Sequence, residues 1–231
     1  MVEDGASPIL FYWSIFQSTF SIPDWKNVSY SWQVFLPPII GAYLIGSIPF
    51  GLLLARLTGK GDLRKVGSGN IGATNALRAG GKKLAAGTLI LDMTKGFVAV
   101  FAAYVYFGPD IAFFTSIAVV LGHLFPVWLH FRGGKGVATT MGVLLGLSWV
   151  TGLATLAIWI TVALTLRYSS LAALVSVAAA PLLGWYLAEP QVAGIAIFLT
   201  VLVWVRHTGN IRRLLRGDES RIRLRGSSSP S

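Results

Sequence analysis

Apolar positions in this chain come in long unbroken blocks, not in the three-and-four spacing that gives a helix one dry face. Residues 36–57, 84–107 and 111–129 are each long enough to cross about 30 Å of hydrocarbon, which takes roughly 20 apolar residues in a helix. The apolar sequence then runs from residue 137 to 166, too far for one helix, with a break near 148–152. That interruption predicts a short span starting at Val137 and a second ending at Leu166. Residues 171–187 and 192–205 complete the set, closed off by Glu189-Pro190 and by Arg206-His207. The pattern predicts an all-α integral membrane protein of about seven transmembrane helices, the fourth of them short. It also predicts three parts: an N-terminal outer or interfacial segment over 1–35, a membrane domain over 36–217, and a disordered tail over 218–231.

Charge orients the bundle. Basic residues gather at Arg56, Lys60, Arg64, Lys65, Arg78, Lys82 and Lys83, again at Arg132 and Lys135, at Arg167, and from Arg206 onward. The turns between those groups hold Gly108-Pro109-Asp110 and Glu189-Pro190 and carry no base. With seven spans every basic cluster falls on one side, as the positive-inside rule requires, which puts the N-terminus outside and the C-terminus in the cytoplasm. The net charge of +10 is then mainly a matter of topology, and nucleic acid is not an expected partner. Part of the excess suits anionic lipid or an anionic substrate. Composition agrees: 54% of the 231 residues are hydrophobic and 12% charged, against about a quarter charged in soluble domains. With no cysteine there is no disulfide and no thiolate for a metal. The start, Met1-Val2-Glu3-Asp4, lacks the basic region of a secretory signal, so no cleavage is expected. Trp13, Trp25, Trp32, Tyr12 and Tyr30 suit a segment lying at the outer interface.

Two polar loops carry the candidate chemistry. The first contains Gly67, Ser68, Gly69, Asn70, Gly72, Thr74 and Asn75, flanked by Arg64 and Arg78. Glycines let backbone N–H groups close on an anion, the neutral side chains add hydrogen bonds, and the two guanidinium groups can fork onto phosphate oxygens. A helix starting near Thr74 adds its positive dipole end. The bland alternative is a flexible turn. It is not a Walker loop, because the Gly-Lys-Ser/Thr ending is missing. The second loop, Gly133-Gly134-Lys135-Gly136, repeats the logic just before another helix. Two such loops on one face predict two phosphates, or one gripped from both sides. Within the spans, Asp92 and Lys95 share one helical face and need a partner or a wet cavity at that depth. A structural ion pair is the plain alternative, as helix packing is for His123. His207 and Asn210 are placed to reach back over the site, while Arg212, Arg213 and Arg216 read as membrane contacts on an interfacial helix.

These residues carry a family resemblance. Ser47-Ile48-Pro49-Phe50-Gly51 through Gly67-Ser68-Gly69-Asn70-Ile71-Gly72-Ala73-Thr74-Asn75 resembles the first motif of the bacterial membrane acyl-phosphate:glycerol-3-phosphate acyltransferases. Asp92-Met93-Thr94-Lys95-Gly96 and Gly122-His123 through Thr139 resemble the second. Arg167 with Ser169-Ser170, then His207, Asn210, Ile211 and Gly217-Asp218-Glu219, resemble the third. Two departures stand out: an N-terminal segment longer than the family needs, and Ala173 where a second serine is common. The resemblance implies transfer of a fatty acyl group from acyl phosphate to the 1-hydroxyl of glycerol 3-phosphate. The products are lysophosphatidic acid and phosphate, made without a cofactor at the cytoplasmic face of a bacterial inner membrane among membrane lipids. It implies catalytic roles for Ser68, Arg78, Lys135 and His207, and a binding role for Glu219 beside the loop residues. No histidine has an aspartate five positions on, and no Gly-x-Ser-x-Gly elbow occurs, so direct transfer without an acyl-enzyme is expected. Either His207 or a substrate phosphate oxygen could take the proton. The alternative is a phosphate or organophosphate transporter, against which both loops lie at one face instead of mid-membrane.

Overall fold

The computed structural model describes residues 32–222, together with Ser14 and residues 17–19. What the sequence suggests for the rest of the first 31 residues, and for the tail beyond 222, lies outside the described residues. The described chain is helical: α1 Trp32–Ser47, α2 Phe50–Leu57, α3 Ala73–Phe107, α4 Pro109–Leu124, α5 Val137–Leu147, α6 Trp149–Thr165, α7 Ser169–Leu187, α8 Pro190–Arg206 and α9 Thr208–Arg216. Among the described residues, four segments are long and apolar enough to cross a membrane: Trp32–Leu57, Ala73–Phe107, Pro109–Leu129 and Ser169–Leu187. A fifth is the pair α8–α9 taken as one span bent by 63°. Seven crossings were expected; α5 and α6, of 11 and 17 residues, are shorter than the roughly 20 that a full crossing takes. At about 1.5 Å per residue, the 11 residues of α5 reach only roughly half-way across.

Some boundaries moved for physical reasons. Pro49 breaks the first span between Ser47 and Phe50. The helix expected from Leu84 begins at Ala73, because Gly81, at φ 79°, lets two helical stretches join across a kink despite the intervening bases. The third span ends at Leu124, where Phe125-Pro126 stops it. The break at Ser148 is where the sequence places it, and the Ser148 hydroxyl caps α6 through the Thr151 N–H.

Small residues bring the helices together, as expected where lipid supplies no hydrophobic drive between them. A Cβ on Gly46 in α1 would lie 2.0 Å from the Val119 carbonyl oxygen, and one on Gly122 in α4 would lie 2.2 Å from that of Tyr43. Likewise, a Cβ on Gly96 in α3 would meet the Thr139 carbonyl oxygen at 2.3 Å, and one on Gly142 in α5 that of Met93 at 1.9 Å. The polar side chains turn inward: Thr88, Thr115, Ser116, Thr139, Thr155 and Ser176 are buried, while Tyr106 and Leu182 stay 79% and 65% exposed. Such a surface fits lipid and does not fit water.

Gly142→Leu should therefore be strongly destabilising, by about 3 kcal/mol or more, because backbone cannot yield to an inserted side chain as a soft core does. Gly41→Ala, with nothing within 4 Å of its Cβ, should leave stability unchanged. Thermal unfolding in detergent checks both, and equal melting points would contradict this packing.

Candidate active site

Four helices begin around one cavity of about 970 Å³, and each supplies lining residues: Ala73 and Thr74 from α3, Val137 and Ala138 from α5, Ser169 and Ser170 from α7, Gly209 and Asn210 from α9. The opening N–H groups of a helix have no intrahelical acceptor and carry the positive end of its dipole, so this mouth is prepared for anions. Away from the helix starts the wall is mostly apolar, with Leu89 from α3, Met141 from α5, Leu156 and Trp159 from α6 and Ala173 from α7, and with Asp92 of α3 and His123 of α4 as polar members. The cavity thus has one cationic, hydrogen-bonding end and one apolar end between helices.

Of the residues expected at the site, Gly67, Ser68, Gly69, Asn70, Gly72, Thr74, Asn75, Arg78, Asp92, Gly133, Lys135, Gly136, His207, Asn210 and Glu219 line this cavity. Three do not. Arg64 is turned away and forked onto Asp62, at 2.6 Å from Nη2 to Oδ2 and 3.0 Å from Nε to Oδ1. That guanidinium holds the Asp62 carboxyl down to about 2. Gly134 is packed behind the wall, against His123. Lys95 is sequestered with Asp92, at 2.7 Å, and donates to the Ile48 carbonyl at the α1–α2 break, at 3.0 Å.

Both glycine loops differ from the expected phosphate nests in one respect: the backbone donors with a visible partner point inward. Gly69 N–H bonds to the Val66 carbonyl, Gly72 N–H to Asn70 Oδ1 at 2.8 Å, and Ser68 N–H to Asn75 Oδ1 at 3.1 Å. Asn75, buried to 1% exposure, also donates from Nδ2 to the carbonyls of Leu63, Val66 and Asn70. It is the knot of the first loop. Gly67, at φ 57°, lies so close to Asn75 that a Cβ there would sit 2.5 Å from Oδ1. In the second loop, Gly133 and Gly134 donate to the carbonyls of Leu124 and His123, which the end of α4 leaves unpaired. Arg206 in turn donates to the carbonyls of Gly133 and Gly134, both at 3.3 Å.

What faces the cavity is therefore a set of side chains. Lys135 donates to Asn210 Oδ1; burial is the main reason its ammonium is pushed down to about 8, with Glu219 opposing and Arg213 and Arg78 adding to the fall. Arg78 donates to the Ser220 hydroxyl at 2.7 Å, and the Thr74 and Ser169 hydroxyls meet at 2.8 Å. His207 is buried, and its Nδ1 lies 2.7 Å from the Val203 carbonyl. A carbonyl only accepts, so Nδ1 carries a proton and the neutral ring keeps its lone pair at Nε2.

Glu219 organises the C-terminal side. Its Oε1 accepts from Ser170 at 2.8 Å and Asn210 at 2.7 Å, and its Oε2 from Arg213 at 2.7 Å. Burial alone would raise this carboxyl, but those donors together hold it below its ordinary range. Arg213, though exposed like Arg212 and Arg216, is the one of these three that lines the cavity, so it belongs with the site. The expected tail starts too early as well. Ile222 N–H bonds to the Arg167 carbonyl at 2.6 Å, and the Arg167 guanidinium returns to the Ile222 carbonyl at 3.3 Å. Residues 218–222 are thus strapped across the mouth. Ser170, Arg213 and Ser220 were not singled out as ligand-facing from sequence. Only Ser170 carried a signal, from its place beside Arg167.

Known proteins resemble the chain over most of its length. A family model described as glycerol-3-phosphate acyltransferase matches residues 36–217. A glycerol-3-phosphate acyltransferase of Nitrobacter winogradskyi is 57% identical over 180 residues, covering 78% of this chain and 92% of that protein. One from Rhizobium meliloti is 52% identical over 201 residues, covering 85% and 98%. The crystal structure of PlsY (YgiH), an integral membrane glycerol 3-phosphate acyltransferase, in its glycerol 3-phosphate form superposes with a TM-score of 0.78. It is 43% identical and covers 81% of this chain and 95% of that one. The lysophosphatidic acid form gives a TM-score of 0.76 at 42% identity, over 80% and 94%.

Proposed function

The chain belongs to the glycerol-3-phosphate acyltransferase family of integral membrane proteins, and from that premise we propose that it acylates the 1-hydroxyl of glycerol 3-phosphate with acyl phosphate as donor. The observation that carries this reading is the two-ended cavity, with Arg78, Lys135 and the helix starts at one end and apolar side chains of α3, α5, α6 and α7 at the other. An acyl phosphate has that same polarity along its length, and a second, short phosphate ester fits beside it at the cationic end. Solved relatives with glycerol 3-phosphate and with lysophosphatidic acid support substrate and product of this class. A transporter would need access from both faces, and the lining loops are those of residues 67–78, 133–136 and 206–222.

The reaction is a direct transfer. The 1-hydroxyl oxygen attacks the acyl carbonyl carbon, the bond from that carbon to the phosphate oxygen breaks, and inorganic phosphate leaves. The hydroxyl proton passes to His207 Nε2 or to a phosphate oxygen. A mixed anhydride already has a good leaving group, so holding both phosphates and neutralising their charge supplies most of what the chain must add. Arg78 and Lys135 do that, Ser68 and Asn210 set the angle, and Thr74 and Ser169 add hydroxyls at the helix starts.

The seven-crossing arrangement is part of the proposal, with the cavity mouth in the cytoplasm and the N-terminus outside a bacterial inner membrane. The turns at Gly108 and Glu189 alternate with the lining segments and contribute nothing to the cavity, which supports opposite faces for the two sets, while Ser148 is the turn between the short α5 and α6.

Purified protein given acyl phosphate and labelled glycerol 3-phosphate should yield labelled lysophosphatidic acid. Lys135→Ala should lower turnover about a hundredfold, the loss usual for one charge contact in a dry site. Only the ammonium form of Lys135 binds phosphate, so kcat/KM should fall as pH rises through about 8. Lys135→Arg should carry that limb out of range. A flat profile to pH 9.5 would remove Lys135 from the site. Direct transfer predicts intersecting double-reciprocal plots and no acyl adduct in the intact mass after acyl phosphate alone; parallel lines with an adduct that glycerol 3-phosphate discharges would point to Ser68. For orientation, single cysteines beside Asp110 and Glu189 should label from outside, and one beside Lys60 only after permeabilisation.

A further inference from the structure

We infer that His123 is a positioning residue for the phosphate grip: its imidazole is the surface on which Gly134 rests, and so it fixes where Lys135 enters the cavity. The inference rests on the acyltransferase reading above and deepens it. His123 is the penultimate residue of α4, is 5% exposed, and makes two kinds of contact with the second loop. Its carbonyl accepts the Gly134 N–H at 3.0 Å. Its ring edge lies against the Gly134 Cα so closely that a Cβ there would sit 2.0 Å from Nε2. The ring also lines the cavity, and its close contact with Gly134 ties the loop to the end of α4. The role inferred here is exercised through the loop that His123 supports.

Among the described residues the ring has a polar neighbour but no hydrogen bond: its Nδ1 faces Asp92 Oδ1 at 3.6 Å, and Asp92 is paired with Lys95, which bonds to the Ile48 carbonyl where α1 breaks. One continuous set of contacts therefore runs from the α1–α2 break through α3 to the end of α4 and into the loop. On its far side the loop is fixed by Gly136, left-handed at φ 84°, which starts α5. Lys135 lies between these two anchors, and its reach into the cavity is set by both. A shift of about 1 Å at such a point costs on the order of a hundredfold in rate.

Two mutant cycles test this. Gly134→Ala should lower kcat/KM about a hundredfold and also lower the melting point, because the ring must shift to admit the new methyl. His123→Ala should lower it by about tenfold, mostly through KM for the phosphate-bearing substrates. The double variant His123→Ala/Gly134→Ala should recover about tenfold over Gly134→Ala, because the vacated ring space takes the new methyl. In a Lys135→Ala background, Gly134→Ala should cost almost nothing further. Where His123→Ala melts early, His123→Gln carries the same comparison. Effects that simply multiply in both cycles, or wild-type kinetics in His123→Ala, would overturn the inference. An inactive wild type would count against the acyltransferase reading alone, and the same cycles would then be read in the Kd for inorganic phosphate.

Discussion

Hydrocarbon offers a polar group nothing, so a membrane chain must settle every backbone N–H and C=O within itself or bring it to a surface. Helix ends are where that is hardest. Here the answer to the structural problem is also the site: the starts of α3, α5, α7 and α9 face a single cavity, and the unpaired carbonyls ending α4 are closed by Gly133 and Gly134. The same loop that caps one helix delivers Lys135 and begins another. Losing the cap would loosen the cation, which couples stability to function at this corner of the fold.

Much of this was legible in the sequence, and the reasons are specific. Lys135, Arg78 and His207 sit in polar segments between long apolar runs, and the first two stand near glycines that topology alone does not require. The helix start after Gly136 followed from the apolar run that begins at Val137, and one near Thr74 was expected beside the first loop, although the apolar run itself begins only at Leu84. Other features were hidden by ambiguity in the residues themselves. A glycine-rich loop reads the same whether its N–H groups face a ligand or an adjacent helix end, so the inward bonding of both loops could not be seen. Arg64 looked free because its partner, Asp62, only reaches it once the chain makes the short 3-10 turn at Leu63–Lys65. The strap over 218–222 is held by contacts such as Ser170 with Glu219, 49 positions apart, and its polar composition resembles a loose tail.

The inward bonding of the loops changes how the site works. A loop whose backbone donors wait for a ligand is reorganised when the ligand comes. A loop tied by Asn75, or seated on His123, is in place beforehand, so less ordering remains for the substrate to impose. Adaptation is left to a few long side chains. Before substrate binds, Lys135 and Arg78 rest on Asn210 and Ser220, neutral partners that hold them near the cavity without cancelling their charge. Glu219, a carboxylate at this mouth, is itself occupied by Ser170, Asn210 and Arg213. Under the proposed function, a phosphate entering the mouth trades a weak neutral contact for a charged one at each cation, onto loops that are already tied.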